Sequence, residues 1–164
     1  MLTAAILTVS DTRSAGTRED TTTALMVELL EEIGIDVTTT RLVPDERDQI
    51  AAAIVELCEG ADLVLTSGGT GLAPRDVTPE ATRSVIDREA PGIAEAMRAE
   101  TAQRQRRAWL SRAVAGTRGR TLVINLPGNP KAVRECLDVL LPMLPHAIRT
   151  STGGGESTHR AISS

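Results

Sequence analysis

Short apolar runs alternate with segments of helical periodicity along this chain. Residues 3–9 hold a run of Ala, Ile, Leu and Val that predicts a short buried strand. Leu25, Leu29, Leu30 and Ile33 recur on one face of a helix predicted over 21–33, and Gly34 is placed to end it. Residues 37–43 alternate Val, Thr and Leu as a strand does, and Pro44-Asp45 closes it. A second helix is predicted over 46–59 with Ile50, Ile54, Val55 and Leu57 inward. Leu63 to Leu65 then form an apolar strand that runs straight into a glycine-rich loop. Thr78 is the expected cap of the next helix, with Pro79 at its first position and Glu80 at its positive end. Pro91-Gly92 breaks that helix, and another is expected to about residue 107. Residues 111–118 show no regular pattern. Residues 120–125 predict a strand, and 126–129 a turn. Asn129 caps and Pro130 opens a last helix to about residue 149, interrupted at Pro142 and Pro145.

Strands alternating with helices predict an α/β fold: three α/β/α layers around a mostly parallel central sheet. Residues 1–150 read as a single domain and 151–164, rich in Ser, Thr and Gly, as a disordered tail. In such sheets ligands bind beyond the carboxyl ends of the strands. Each polar cluster of this chain follows a strand: Ser10-Asp11, Asp45, the glycine loop, and Asn125 to Lys131. Topology is expected to bring all four onto one rim.

Composition narrows the chemistry. The chain has one Trp and no Phe or Tyr, so its core is aliphatic and it lacks stacking platforms for single strands. A net charge of −4 gives no basic field for nucleic acid. No run predicts a membrane span or a signal segment, and a cytoplasmic location is expected. Cys58 and Cys136 sit in helical patterns without metal-type spacing and read as buried free thiols. No nucleophile–His–acid set and no zinc cluster is visible.

The loop Ser67-Gly68-Gly69-Thr70-Gly71 lets backbone N–H groups approach an anion, and its hydroxyls add donors; a plain tight corner is the bland alternative. It lacks the P-loop lysine and the dinucleotide glycine spacing. Arg75 can neutralise phosphate charge; Asp76 can hold Mg²⁺ or orient a reacting group, or merely bond the turn backbone. Asp45 is either a helix cap or a second carboxylate across the cleft, and Ser10-Asp11 is either part of the site or a local cap or turn. Lys131, the only lysine, stands at a helix N-terminus where an anion would suit it; solvation is the alternative. Ser111-Arg112 can bind an anion or lie on the surface.

These blocks, in order, resemble one family. Val9-Ser10-Asp11-Thr12-Arg13 with Gly16, Val43-Pro44-Asp45-Glu46, Ser67 to Gly71, and Pro74-Arg75-Asp76-Val77-Thr78-Pro79-Glu80-Ala81 are similar to segments of the molybdopterin adenylyltransferases. These are the MogA/MoaB proteins, related to the G domain of gephyrin. Arg88 to Gly92, Ser111 to Gly116, and Asn125 to Val133 continue the match. The resemblance implies adenylylation of molybdopterin by Mg-ATP with release of pyrophosphate, in molybdenum cofactor synthesis. It implies a homotrimer, Mg²⁺, ATP as co-substrate, and hand-over to a molybdenum insertase. By the same resemblance the family's two functional aspartates fall on Asp45 and Asp76, which would hold Mg²⁺. Ser10, Asp11, Asp20, Ser67, Gly68, Gly69, Thr70, Gly71, Arg75, Ser111, Arg112, Asn125, Pro127, Gly128 and Lys131 would bind the substrates. The family's Asp-x-Ser-Gly stands here as Asp20-Thr21-Thr22-Thr23, and threonine lacks the freedom and small size of glycine. That change favours the alternative of a non-catalytic pterin carrier; the retained acidic pair favours the enzyme.

Overall fold

The computed structural model describes residues 1–16 and 20–154. Four parallel strands form its spine: β1 (Leu2–Val9), β2 (Ile35–Val43), β3 (Leu63–Ser67) and β6 (Thr121–Leu126). Two short strands, β4 (Arg88–Glu89) and β5 (Ala115–Arg118), extend the sheet in the antiparallel sense. The strand order is β2-β1-β3-β6-β5-β4. The mostly parallel α/β sheet expected from the alternating pattern is present. The two antiparallel strands were not expected; they lie in segments too short and too mixed to carry a period-2 signal.

The strand residues divide between two faces by simple alternation. Ile6, Leu65, Ile124 and Leu126 pack with Met26, Leu30, Val133, Leu137 and Ile148 on one side. Leu7, Val9, Val64 and Val123 pack with Ile50, Ile54, Leu57 and Ala81 on the other. The first side is covered by α2 (Thr21–Glu32), α5 (Pro91–Ala102), α6 (Pro130–Leu140) and α7 (Leu144–Ser151). The second is covered by α3 (Arg47–Cys58) and α4 (Thr78–Arg83). Strands buried on both faces explain why their sequences run apolar rather than alternating. Each fully buried Leu or Ile contributes about 1.5–3 kcal/mol relative to exposure.

Local signals behave mostly as the chain suggests. Asn129 caps α6 through Oδ1, which accepts from the N–H of Lys131 at 2.9 Å and of Ala132 at 3.3 Å. The last helical pattern divides into α6 and α7 around Pro142. Helix α5 stops at Ala102, and a 3₁₀ turn (Arg106–Leu110) replaces the expected continuation. Ser10 starts a one-turn helix, α1 (Asp11–Ser14), between β1 and α2. Thr78 is not the cap of α4: Val77 holds that position, and the Thr78 hydroxyl instead donates to the carbonyl of Gly68 at 2.9 Å. Helix α7 includes Ser151, the first residue of the expected tail. Residues 155–164 of that tail, with His159, lie outside the described residues.

Candidate active site

The strand register alone aligns a rim. Val9 pairs with Val43, Thr8 with Ser67, and Ser67 with Leu126. The next residues therefore leave the sheet side by side. The N–H of Ser10 donates to Val43 O at 2.9 Å, and that of Gly68 to Leu126 O at 3.0 Å. The chain reverses its order of strands between β1 and β3, the place where α/β sheets open a crevice.

On the β1–β2 side of this crevice, Asp11 and Asp45 exchange reciprocal bonds. The Asp11 N–H donates to Asp45 Oδ2 and the Asp45 N–H to Asp11 Oδ1, each at 2.9 Å. Arg75 reaches in from the glycine loop and forks onto Asp11, Nε to Oδ2 at 2.6 Å and Nη2 to Oδ1 at 3.0 Å. The same Nη2 donates to Glu46 Oε1 at 3.0 Å. The Arg75 hydrogen bond, then the Asp45 N–H, hold the Asp11 carboxyl below the usual range. Asp45 moves the opposite way. Burial raises it first, and the nearby charges of Asp11 and Asp76 raise it further against the Asp11 N–H bond. Asp45 is therefore a crowded anion, and its helix-cap reading fails: α3 begins after Glu46 with no side-chain cap bond.

The glycine loop lies between the two aspartates. A Cβ on Gly69 would stand 3.2 Å from Asp45 Oδ1 and 2.3 Å from Thr78 Oγ1. One on Gly71 would stand 2.8 Å from Asp76 Oδ2. Gly68 tucks over the end of β1, where a Cβ would meet Val9 O at 2.2 Å. Gly68 and Gly69 both have left-handed φ, 102° and 69°. These positions need glycine for both backbone and space. Asp76 also makes the local turn bond, Oδ2 accepting from the Ala73 N–H at 3.0 Å.

Arg112 fastens the loop from outside. Its Nε donates to Gly71 O at 2.8 Å and its Nη2 to Asp76 O at 2.6 Å, while its N–H donates to Thr70 O at 2.9 Å. Its Nη1 pairs with Glu80, and that contact holds the Glu80 carboxyl below its ordinary range. The guanidinium expected to bind an anion is thus engaged with the loop backbone.

Beside the loop a cavity of about 540 Å³ opens between α5, α6 and the 3₁₀ turn. Thr70, Gly71, Ser111, Asn125, Pro127 and Lys131 border it. Its floor holds Asn125, fully buried, whose Nδ2 donates to Thr66 Oγ1 and Thr82 Oγ1, both at 2.9 Å. Its Oδ1 accepts from the Val114 N–H at 3.1 Å, so this amide ties three segments together. Ser67 is likewise turned inward, donating to Pro127 O at 2.8 Å. Lys131 is exposed at the mouth. Cys136 borders the cavity and Cys58 lies under the opposite face; burial pushes both thiols up to about 11.

The remaining expected residues stand behind this rim. Ser10 Oγ caps α1 by accepting from the Arg13 N–H at 3.2 Å. Asp20 caps α2 by accepting from the Thr23 N–H at 3.1 Å. The Thr22 hydroxyl contacts Gly128 O at 3.4 Å, and Gly128 packs on Gly68. Thr23 sits inside a regular helix, bonded through its hydroxyl to Asp20 and, at 2.7 Å, to Thr8. No described non-glycine residue has positive φ, so glycine's freedom is not needed at position 23. Glu46, Thr78 and the α5 wall around Met97 were not among the expected site residues. The first two follow known motif residues; nothing local marks the third.

Sheet, rim and cavity define an α/β domain with a carboxylate-flanked glycine loop at its topological switch point. The chain belongs to the family described as "Probable molybdopterin binding domain", whose model matches residues 5–146. It is 41% identical over 147 residues to the molybdopterin adenylyltransferase of Helicobacter pylori (strain J99), covering 87% of this chain and 84% of that one. Among solved structures, the molybdopterin biosynthesis enzyme MoaB of Thermus thermophilus superposes with a TM-score of 0.89 at 52% identity, over 93% of this chain and 98% of that one. A molybdopterin biosynthesis protein from Mycobacterium abscessus superposes with a TM-score of 0.86 at 41% identity, over 92% and 96%.

Proposed function

We propose that this protein is a molybdopterin adenylyltransferase of molybdenum cofactor biosynthesis. A terminal phosphate oxygen of molybdopterin attacks the α-phosphorus of ATP. The bond to the bridging oxygen breaks, pyrophosphate leaves, and adenylyl-molybdopterin remains. The single observation that carries this reading is the glycine loop lying between Asp45 and Asp76, at the edge of a cavity sized for a small aromatic ligand.

The chain's task in such a transfer is to align two phosphates and offset charge. Amides of the glycine loop donate to phosphate oxygens, and the N-terminus of α6 with Lys131 adds positive potential at the cavity mouth. Arg75 lies within the same cluster, held by Asp11 and Glu46, and is positioned to exchange a carboxylate for a phosphate. Arg112 keeps the loop in shape. The donor set suits Mg²⁺: two carboxylates face one loop, and the ionised form of Asp45 is disfavoured first by burial and then by its anionic neighbours. Mg²⁺ takes one or two carboxylates and completes its shell with water and substrate phosphates. Asp45 and Asp76 would hold it. When bound, it would neutralise the charge that grows on the leaving pyrophosphate.

Use of ATP points to the cytoplasm. No described helix is long and apolar enough to cross a membrane. Leu72, Trp109 and Leu110 are all more than half exposed, which supports association of the chain; the homotrimer belongs to this proposal, as does hand-over to a molybdenum insertase.

The test incubates purified protein with molybdopterin and Mg-ATP and follows pyrophosphate and the mass of the pterin product. Adenylylated pterin is expected. Asp76→Asn is expected to lower turnover on the order of 100-fold while the fold persists, because an amide oxygen can keep the Ala73 bond. Pterin binding without pyrophosphate release would make the protein a carrier. Undiminished turnover in the variant would remove Asp76 from the reaction.

A further inference from the structure

The cavity wall presents four charged side chains: Arg98, Arg107, Lys131 and Glu135. Two are engaged elsewhere. Arg98 Nη1 donates to Ser111 O at 3.2 Å and Ala113 O at 3.0 Å. Arg107 stands beside the side-chain amide of Gln105. Lys131 and Glu135 have no hydrogen-bond or ion-pair partner for their side chains among the described residues. Both project from α6, four positions apart, so they stand on one face about 6 Å apart along the helix axis. Lys131 is at the mouth beside the glycine loop; half-buried Glu135 stands one turn further along. Between the two helices the lining includes the apolar Ala94, Met97, Ala132 and Cys136, with Thr101 beside them.

That arrangement asks for a flat ligand, anionic at one end and a hydrogen-bond donor at the other. Molybdopterin has this form. Its phosphate is one end. The other end is a 2-amino-4-oxopyrimidine ring whose amino group and N3–H lie side by side and point the same way. A carboxylate has two oxygens with the matching spacing and no donor of its own. Adenine offers one amino donor next to a ring nitrogen that carries a lone pair, so a carboxylate there meets repulsion.

We propose that Glu135 reads the pyrimidinone edge of the pterin and thereby sorts molybdopterin from the adenine of ATP within the double-substrate site. The inference rests on the adenylyltransferase reading above. Glu135 is a specificity residue; it takes no part in the transfer at phosphorus.

The experiment uses the full chain. Binding of two probes, 6-hydroxymethylpterin monophosphate and its 2-oxo lumazine counterpart, is read by ligand fluorescence. Transfer to molybdopterin is followed by pyrophosphate release. The wild type is expected to prefer the pterin over the lumazine by about tenfold or more, the worth of one charge-assisted hydrogen bond. Glu135→Gln should lose that preference and raise KM for molybdopterin by about tenfold or more, with KM for ATP unchanged. Glu135→Asp should restore part of the preference, which a merely structural role would not. Melting curves confirm that the variants fold. Equal probe affinities in the wild type overturn the proposal. So does an unchanged KM for molybdopterin in Glu135→Gln, and so does a loss shared equally by both probes. In each of these cases a wild-type protein that still adenylylates molybdopterin leaves the adenylyltransferase reading intact. A wild type that makes no adenylylated pterin overturns that reading instead.

Discussion

Gly69 gives the sharpest test of how the loop is built. Its φ of 69° places an L-residue in the left-handed region, which costs about 1–2 kcal/mol. An added Cβ would also lie 2.3 Å from Thr78 Oγ1, 3.3 Å from Thr78 Cβ and 3.2 Å from Asp45 Oδ1. Thr78 cannot rotate away freely, because its hydroxyl holds Gly68 O at 2.9 Å. Overpacking of this kind costs about 1–3 kcal/mol. Gly69→Ala should therefore destabilise by about 2–5 kcal/mol, and each kcal/mol moves Tm by about 2–4 °C in a chain of this size. Gly34 supplies the control. Its φ is 80°, yet nothing lies within 4 Å of a Cβ there, so Gly34→Ala should show the backbone cost alone. Thr78→Ala should relieve the nearest clash, making the double variant more stable than the sum of the singles by about 0.5–3 kcal/mol. The assay is thermal unfolding of the wild type and the four variants, with pyrophosphate release alongside. Gly69→Ala should also lose about 100-fold in turnover, since the loop would shift against Asp45. Equal losses at Gly69 and Gly34, or strict additivity with Thr78→Ala, would refute the reasoning.

Two further outcomes are expected. Arg112→Ala removes two donors to the loop and leaves Glu80 without its cation; with the pair half exposed, a loss of about 1–3 kcal/mol and a raised KM for ATP are expected, read by melting and steady-state kinetics. Asp45 and Asp11 should give opposite pH signatures in metal-free melting curves. Asp45 is raised, so its contribution is fully present below its unfolded value and is lost as pH rises through the folded one; Asp45→Asn should gain on the wild type as pH rises through that window. Asp11 is lowered, so its contribution is present above its unfolded value and is lost as pH falls through the folded one; the deficit of Asp11→Asn should close on acidification. Parallel pH trends for the two variants would show that the charge network is misread.

What the amino-acid order determined by itself is local. Apolar runs buried on both faces specify the parallel strands, helical spacing specifies their covers, and Asn129-Pro130 specifies where α6 begins. From those elements the convergence of four polar strand ends follows, because parallel strands all send their carboxyl ends to one edge. What only the tertiary structure decided is which partner each polar group takes. Arg75 has Asp11, distant by 64 positions, and Arg112 has Gly71, distant by 41. Asn125 is committed to the core, and Thr78 braces Gly68 instead of capping its helix. The antiparallel pair β4–β5 and the wall shared by α5 and α6 arise the same way. Hydrogen bonds and packing contacts are chosen by proximity after the chain has folded, and short mixed segments carry no period from which that proximity can be read.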